Sequence, residues 1–290
     1  MLPNFIIVGA PKAGTTSLYH YLSEHPEVFM SEPKEMNFFS REEIEDQGLY
    51  YADFKAKDMQ SYERLFDGVK EEKAVGEGSV SYLFYPNTPQ KIKDVLPDVK
   101  IIILLRDPVE RAFSHYLMDY RMGLVDLSFE DIVYQQSRHA QSHLFYQQFV
   151  ELGMYYEQVK RYIDLFGQGQ VKIYLQEDLR QNTEGVVQGL YQFLNIDATF
   201  LPNLERSHNA FSMPKRKLIH KLYAFPLLRS IALFLFRDKL KETVKNIFFE
   251  RKRKPTLSQK TKAYLYDMYA KDIQKLEILI QRDLTAWRKP

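Results

Sequence analysis

The chain contains no cysteine. That excludes a disulfide framework, thiolate zinc sites, iron–sulfur clusters and cysteine nucleophiles, and it is compatible with a reducing compartment. Long apolar runs are missing too. The longest, Ile231-Ala232-Leu233-Phe234-Leu235-Phe236, is bracketed by Pro226, Arg229 and Arg237, whereas a transmembrane helix needs about 20 such residues. No basic n-region or small-residue cleavage site accompanies the N-terminal run Phe5-Ile6-Ile7-Val8. The expectation is therefore a cytoplasmic chain without a signal peptide. Internal repeats and low-complexity tracts are also absent, which sets aside solenoids and disordered arrays.

What is present is ordinary globular material: 290 residues, 45% hydrophobic and 27% charged. A chain of this size buries a large core without staples, and a single α/β domain over 1–290 is expected. The net charge of +2 conceals an asymmetry. Fifteen basic but only three acidic residues lie between Lys215 and Lys262, so this segment carries +12 and the rest of the chain −10. A basic segment on an acidic body implies an anionic partner: nucleotide, polyanion, nucleic acid or lipid head group. Apolar and basic residues alternate at helical spacing from Phe225 to Phe249. We read 214–262 as a helical lid or flank, with weak contact to a membrane surface or carrier protein through 218–249 as the sharper alternative.

Strands and helices alternate. Phe5–Val8 reads as a buried strand ending at Gly9, followed by a helix from Thr15 to His25. Lys100–Leu105 is a second buried strand, and Asp107-Pro108 opens the next helix, with proline at a permitted first-turn position. Val171–Leu175 is a third strand and Thr183 to Leu194 a helix. Ser128 to Phe166 reads as helical, with Ser128 and Asp131 forming a capping box. Asp267 to Trp287 reads as a closing helix burying Met268, Ile273, Leu276, Ile280 and Leu284. Uninterrupted aliphatic strands separated by helices predict a central parallel sheet flanked by helices. Ligands of such sheets sit at the carboxyl ends of the strands, where Gly9–Thr16 and Arg106–Ser114 both fall.

Gly9-Ala10-Pro11-Lys12-Ala13-Gly14-Thr15-Thr16 joins a strand to a helix. Glycines let the backbone wrap an anion, the helix N-terminus offers N–H groups, and Lys12 adds a positive charge. It is not a Walker A loop, which places Lys directly after its last Gly and Ser or Thr after the Lys. Here Lys12 precedes Gly14. It also lacks the three spaced glycines of a dinucleotide fingerprint.

Pro11-Lys12-Ala13-Gly14-Thr15-Thr16-Ser17-Leu18 resembles the 5′-phosphosulfate loop of sulfotransferases that use 3′-phosphoadenosine 5′-phosphosulfate (PAPS). Leu105-Arg106-Asp107-Pro108-Val109-Glu110-Arg111-Ala112-Phe113-Ser114-His115-Tyr116 resembles their 3′-phosphate strand and helix. The likeness is closest to the prokaryotic branch and the heparan sulfate sulfotransferase domains. It is strong over 1–120, the implied PAPS-binding core. It continues more weakly through Gln176-Glu177-Asp178-Leu179, Phe193-Leu194 and Asp283-Leu284-Thr285-Ala286-Trp287.

The resemblance implies a P-loop-like PAPS-binding fold and in-line sulfuryl transfer to a hydroxyl of a carbohydrate, lipid or small metabolite, without metal or nucleic acid. Lys12 would neutralise the leaving phosphate, while Ala13, Gly14, Thr15, Thr16 and Ser17 hold the phosphosulfate. Arg106 and Ser114 would bind the 3′-phosphate, with Arg251, Lys252 and Arg253 (or Lys254 beside them) in a closing basic loop. Glu35, in Glu32-Pro33-Lys34-Glu35-Met36-Asn37-Phe38-Phe39, matches the family's general base, and burial against Phe38 and Phe39 is expected to tune it. His115, His20 and Glu77 are the rival bases. Gly78 stands where heparan-type members carry a lysine, so a second cation is missing or comes from elsewhere. On the residues alone two other readings stay open: a P-loop-type nucleotide or small-molecule kinase, and a polyanion-binding protein without catalysis.

Overall fold

The computed structural model describes residues 1–50, 54–204 and 255–288, and the backbone of 213–214 and 249–250. Five parallel strands form the central sheet: β1 (Phe5–Gly9), β2 (Val28–Met30), β3 (Ala74–Gly78), β4 (Lys100–Leu105) and β5 (Val171–Leu175). Their order is β2-β3-β1-β4-β5. The chain runs outward on one side of β1 and then crosses to the other. The carboxyl end of β1 thus lies at the switch point, where a crevice opens in sheets of this kind. A separate antiparallel pair joins Met213–Pro214 to Phe249–Glu250.

Aliphatic density explains the centre of the sheet. Phe5 to Val8 and Ile101 to Leu105 are entirely buried, so both faces are covered. Helices α1 (Thr15–Ser23) and α10 (Thr183–Leu194) pack on each other, and the short helices α2 (Arg41–Gln47), α3 (Met59–Arg64) and α9 (Gln176–Gln181) lie in the connections. A second packed group contains α4 (Thr88–Val95), α8 (Tyr155–Phe166) and the C-terminal helix Gln259–Ile280, which also reaches α5 (Pro108–Arg121).

Strands β1, β4 and β5 and helix α10 fall where the pattern placed them. Other segments differ. Helix α1 stops at Ser23, and His25 instead accepts from Glu27 N at 3.0 Å and meets the Asp197 carbonyl at 2.8 Å, fixing the turn into β2. The stretch 128–166 is not one helix but α6 (Phe129–Val133), α7 (Ser142–Phe149), a 3₁₀ turn and α8. Ser128 does cap α6, accepting from Asp131 N at 3.0 Å. The closing helix begins earlier and ends earlier than expected. It buries Leu265, Tyr266 and Tyr269 as well as Ile273 and Leu276, and Trp287 sits in a separate 3₁₀ turn, Thr285–Arg288.

Strands β2 and β3 escaped the pattern altogether. Ala74-Val75-Gly76-Glu77-Gly78 is a central strand because the Phe5 ring lies over Gly76, where a Cβ would stand 2.1 Å from Phe5 Cζ.

Candidate active site

Two cationic loops meet at the ends of β1 and β4. The first runs from Ala10 to Gly14. It is anchored by Ala10 N donating to the Leu104 carbonyl at 2.7 Å. Gly14 occupies the left-handed region (φ 107°), no side chain caps α1, and Ser17 N donates to the Gly14 carbonyl at 3.0 Å. Lys12, at φ 66°, is half-buried beside Met118, with Nζ 3.2 Å from Sδ. Desolvation lowers its pKa, with Arg121, Arg106 and Lys34 acting in the same direction and Asp119 opposing them. Thr15 is buried, while Thr16 and Ser17 are half-buried on the same turn.

The second loop starts at Arg106. Its guanidinium donates from Nη1 to the Lys12 carbonyl at 3.0 Å and approaches Glu110 at 3.4 Å. Asp107 does not pair with it. Asp107 caps α5 instead, accepting from Val109 N and Glu110 N at 2.8 and 3.0 Å and from the Tyr266 hydroxyl at 2.8 Å. Tyr155 holds the Arg106 carbonyl at 2.9 Å. Ser114 is half-buried two turns along α5.

A third segment, 31–40, lies beside the end of β3 and carries Glu35. Glu35 N donates to the Gly78 carbonyl at 2.9 Å. One carboxylate oxygen of Glu35 pairs with the Lys34 ammonium, and the other accepts from Val80 N at 2.9 Å. The expected burial of Glu35 against Phe38 and Phe39 is not seen. Its side chain is 37% exposed, and both aromatic rings pack on Tyr62, Phe38 stacking at 4.4 Å.

Glu77 lies beneath this segment, fully buried and ringed by hydroxyls. Tyr62 and Tyr82 donate to one oxygen at 2.8 and 3.1 Å, and Ser79 donates to the other at 2.8 Å. Burial pushes its pKa up to about 7. Ser79 also accepts from Asn37 N at 3.1 Å, so Glu77 supports the loop that presents Glu35. His115 is likewise interior. Its Nδ1 is 3.0 Å from the Gln148 carbonyl, and desolvation, together with Arg111 and Lys12, drives its pKa well below the usual value. His20 is half-buried, edge-on to Tyr19.

Asp119 was not singled out from the sequence. It is fully buried on α5 and accepts from the Tyr50 hydroxyl at 2.7 Å. Its Oδ1 has no hydrogen-bond partner among the described residues. Burial pushes its pKa up to about 7, against the pull of Lys12. The signal available was an Asp four residues after His115, in the apolar stripe of α5. Arg251, Lys252, Arg253 and Lys254, and most of the 214–262 segment, lie outside the described residues. Among the described residues, no helix is long and apolar enough to cross a membrane.

Comparison with known proteins gives a consistent result. The family model described as a sulfotransferase domain matches residues 2–264. A sulfotransferase structure from Alicyclobacillus acidocaldarius is 33% identical, with a TM-score of 0.73 and 100% of both chains covered. The membrane-associated sulfotransferase kil1 of Dictyostelium discoideum is 34% identical over 145 residues, which is 47% of this chain and 28% of that protein. The human bifunctional heparan sulfate N-deacetylase/N-sulfotransferase 2 is 28% identical over 205 residues, 67% of this chain and 22% of that protein. The chain thus spans less than half the length of these curated relatives.

Proposed function

The chain belongs to the sulfotransferase domain family, and from that premise we propose that it moves a sulfuryl group from PAPS to an acceptor hydroxyl on a carbohydrate, lipid or small metabolite. The observation that carries this reading is the bond from Arg106 Nη1 to the Lys12 carbonyl at 3.0 Å. It joins two cationic loops at neighbouring strand ends, an arrangement suited to a ligand with phosphates at both ends.

The residues fit such a donor. The uncapped N-terminus of α1, with Gly14 left-handed, offers Ala13, Gly14, Thr15, Thr16 and Ser17 to the phosphosulfate end. Arg106 and Ser114 take the 3′-phosphate, the guanidinium providing a planar fork. Bound there, PAPS supplies the sulfuryl group: the bond from sulfur to the bridging oxygen of the 5′-phosphate breaks as a bond to the acceptor oxygen forms. Lys12 neutralises the charge that the leaving oxygen gains. Glu35 takes the acceptor proton. Exposure separates Glu35 from Glu77 and His115: its side chain is 37% exposed, whereas Glu77 is 0% and His115 2% exposed. His20 is half-buried as well, but it lies on α1 edge-on to Tyr19 and outside the segment that matches the family's base. Each Glu35 oxygen holds one donor and keeps a second lone pair for the proton.

Calorimetry with 3′-phosphoadenosine 5′-phosphate (PAP) and AMP tests the cofactor, and tighter binding of PAP by about tenfold or more is expected. An acceptor screen with radiolabelled donor then tests the base. Glu35→Gln should keep PAP affinity and lose about 10²–10⁴-fold in rate. Equal affinity for PAP and AMP would refute the cofactor reading. Near-normal rate in Glu35→Gln would remove Glu35 as the base.

A further inference from the structure

Gly78 closes β3 directly beside β1, in register with Ile7, three residues before the Lys12 loop begins. Space stands above it. A Cβ built at Gly78 would meet Tyr19 Cδ2 at 3.5 Å, Lys34 Cε at 3.6 Å and Ile7 Cβ at 3.8 Å, all ordinary contact distances. The far end of the Lys34 side chain therefore lies over this glycine, in the room that a side chain at position 78 would enter.

Its placement is built rather than incidental. Lys34 is only 17% exposed at its side chain. The next residue is tied to the strand through Glu35 N and the Gly78 carbonyl at 2.9 Å. The loop is fixed again by Asn37 N on Ser79 Oγ at 3.1 Å, and by Ser81 Oγ donating to Asn37 Oδ1 at 2.7 Å. A long, flexible cation is thus held over the strand end beside the anion loop. The ammonium is within electrostatic reach of Lys12 and lowers its pKa. Two like charges brought together in a partly buried crevice repel, and a bound anion between them relieves that cost.

The geometry points to Lys34 as the second cation of the transfer site, filling the space left open by Gly78 and contacting the sulfuryl end of the donor. This rests on the sulfotransferase reading above and extends it. Without an anion, Lys34 pairs with the Glu35 carboxylate. A sulfuryl group beside Lys12 offers it a second anionic partner within the same crevice. The Gly78 position is therefore permissive: its missing side chain allows a lysine from the neighbouring loop to reach in.

The test compares two ligands that differ by the sulfuryl group, PAPS and PAP. Both are titrated by calorimetry at low temperature into the full chain, Lys34→Met and Lys34→Ala/Gly78→Lys, with thermal melts to confirm folding. Lys34→Met keeps the aliphatic volume and removes the charge. Its affinity for PAPS should fall about tenfold while that for PAP stays within about twofold, a difference expected for one charge-assisted contact. Lys34→Ala/Gly78→Lys should recover most of the PAPS affinity, because it returns an ammonium to the same space from the strand side. Equal losses for PAPS and PAP, no loss for either, or no recovery in the double variant would overturn the assignment. If the parent chain bound neither ligand, the sulfotransferase reading itself would fall and the assignment with it. That outcome is distinct, because it appears before any substitution is made.

Discussion

Arg106 donates to the main-chain carbonyl of Lys12 at 3.0 Å, so the cation of one strand end holds the backbone of the other. Arg106 is 8% exposed, and Tyr155 fixes its own carbonyl at 2.9 Å. The guanidinium can brace the first loop and still present donors to an anion because it carries five N–H groups in a rigid fork. An ammonium cannot serve both ends with that geometry. Arg106→Lys is therefore expected to behave more like Arg106→Ala than like the parent. Both should lose about tenfold or more in PAP affinity, on the order of 1.5–3 kcal/mol for a charged hydrogen bond, and both should lose less for AMP. Calorimetry with the two nucleotides checks this, and full PAP affinity in Arg106→Lys would show that charge alone suffices.

Lys12 sits in a desolvated position with three cations around it. Such a charge contributes most when negative charge develops opposite it, not in the resting complex. Lys12→Met is expected to lower turnover by about 10²–10³-fold, the range for removing one preorganised stabiliser, while weakening PAP by less than about tenfold. Turnover at saturating PAPS, set beside the PAP dissociation constant, separates the two effects. Wild-type turnover would reduce Lys12 to a binding residue.

The parts of this architecture that were legible in the sequence are those where one force dominates. Five aliphatics in a row at Ile101 to Leu105 permit only a doubly covered strand. The Lys12 and Arg106 loops were legible because glycine, proline and charge mark where strands end. Strand β3 was not, because its burial is a matter of fit: Gly76 lies under the Phe5 ring, and Glu77 is paired by hydroxyls from Tyr62, Ser79 and Tyr82. Those partners lie up to 15 residues away in the chain, and no local periodicity encodes them. The place of Lys34 over Gly78 is not legible in the sequence for a related reason. Its contact with the space over Gly78 is made between two loops. The exposure of Glu35 was misjudged because Phe38 and Phe39 spend their apolar surface on Tyr62.

Asp119 adds a titrating neighbour to Lys12. Burial pushes the Asp119 pKa up to about 7, and its charge opposes the lowering of the Lys12 pKa. Removing that charge lets Lys12 lose its proton more easily. Asp119→Asn, which keeps an acceptor for the Tyr50 hydroxyl, is expected to move the alkaline limb of the pH–rate profile to lower pH. Turnover near pH 6 should change little, because Asp119 is then mostly protonated in the parent. An alkaline limb at the same pH in both proteins would mean that Lys12 does not set it.

Glu77 makes a prediction about folding rather than rate. Its carboxyl is sealed among three hydroxyl donors, and burial pushes its pKa up to about 7. In the unfolded chain a glutamate titrates near about 4.3. Between those values the folded state holds the proton more tightly. Its contribution is therefore greatest below the unfolded value and is lost as pH rises through the folded one. Glu77→Gln does not titrate and should lack this slope. The melting temperature of the variant relative to the parent should rise between about pH 5 and pH 8, measured at constant ionic strength. Glu77→Leu acts differently, since it strands the hydroxyls of Tyr62, Tyr82 and Ser79 at about 1–3 kcal/mol for each unsatisfied buried group. It should melt several degrees lower at every pH. It should also release Asn37 through Ser79, loosening the loop that carries Lys34 and Glu35, so its activity should fall further than its stability alone accounts for. If the melting difference between Glu77→Gln and the parent stayed flat from pH 5 to pH 8, Glu77 would hold the same protonation state in folded and unfolded chains across that range, and its burial would have to be partly relieved by water.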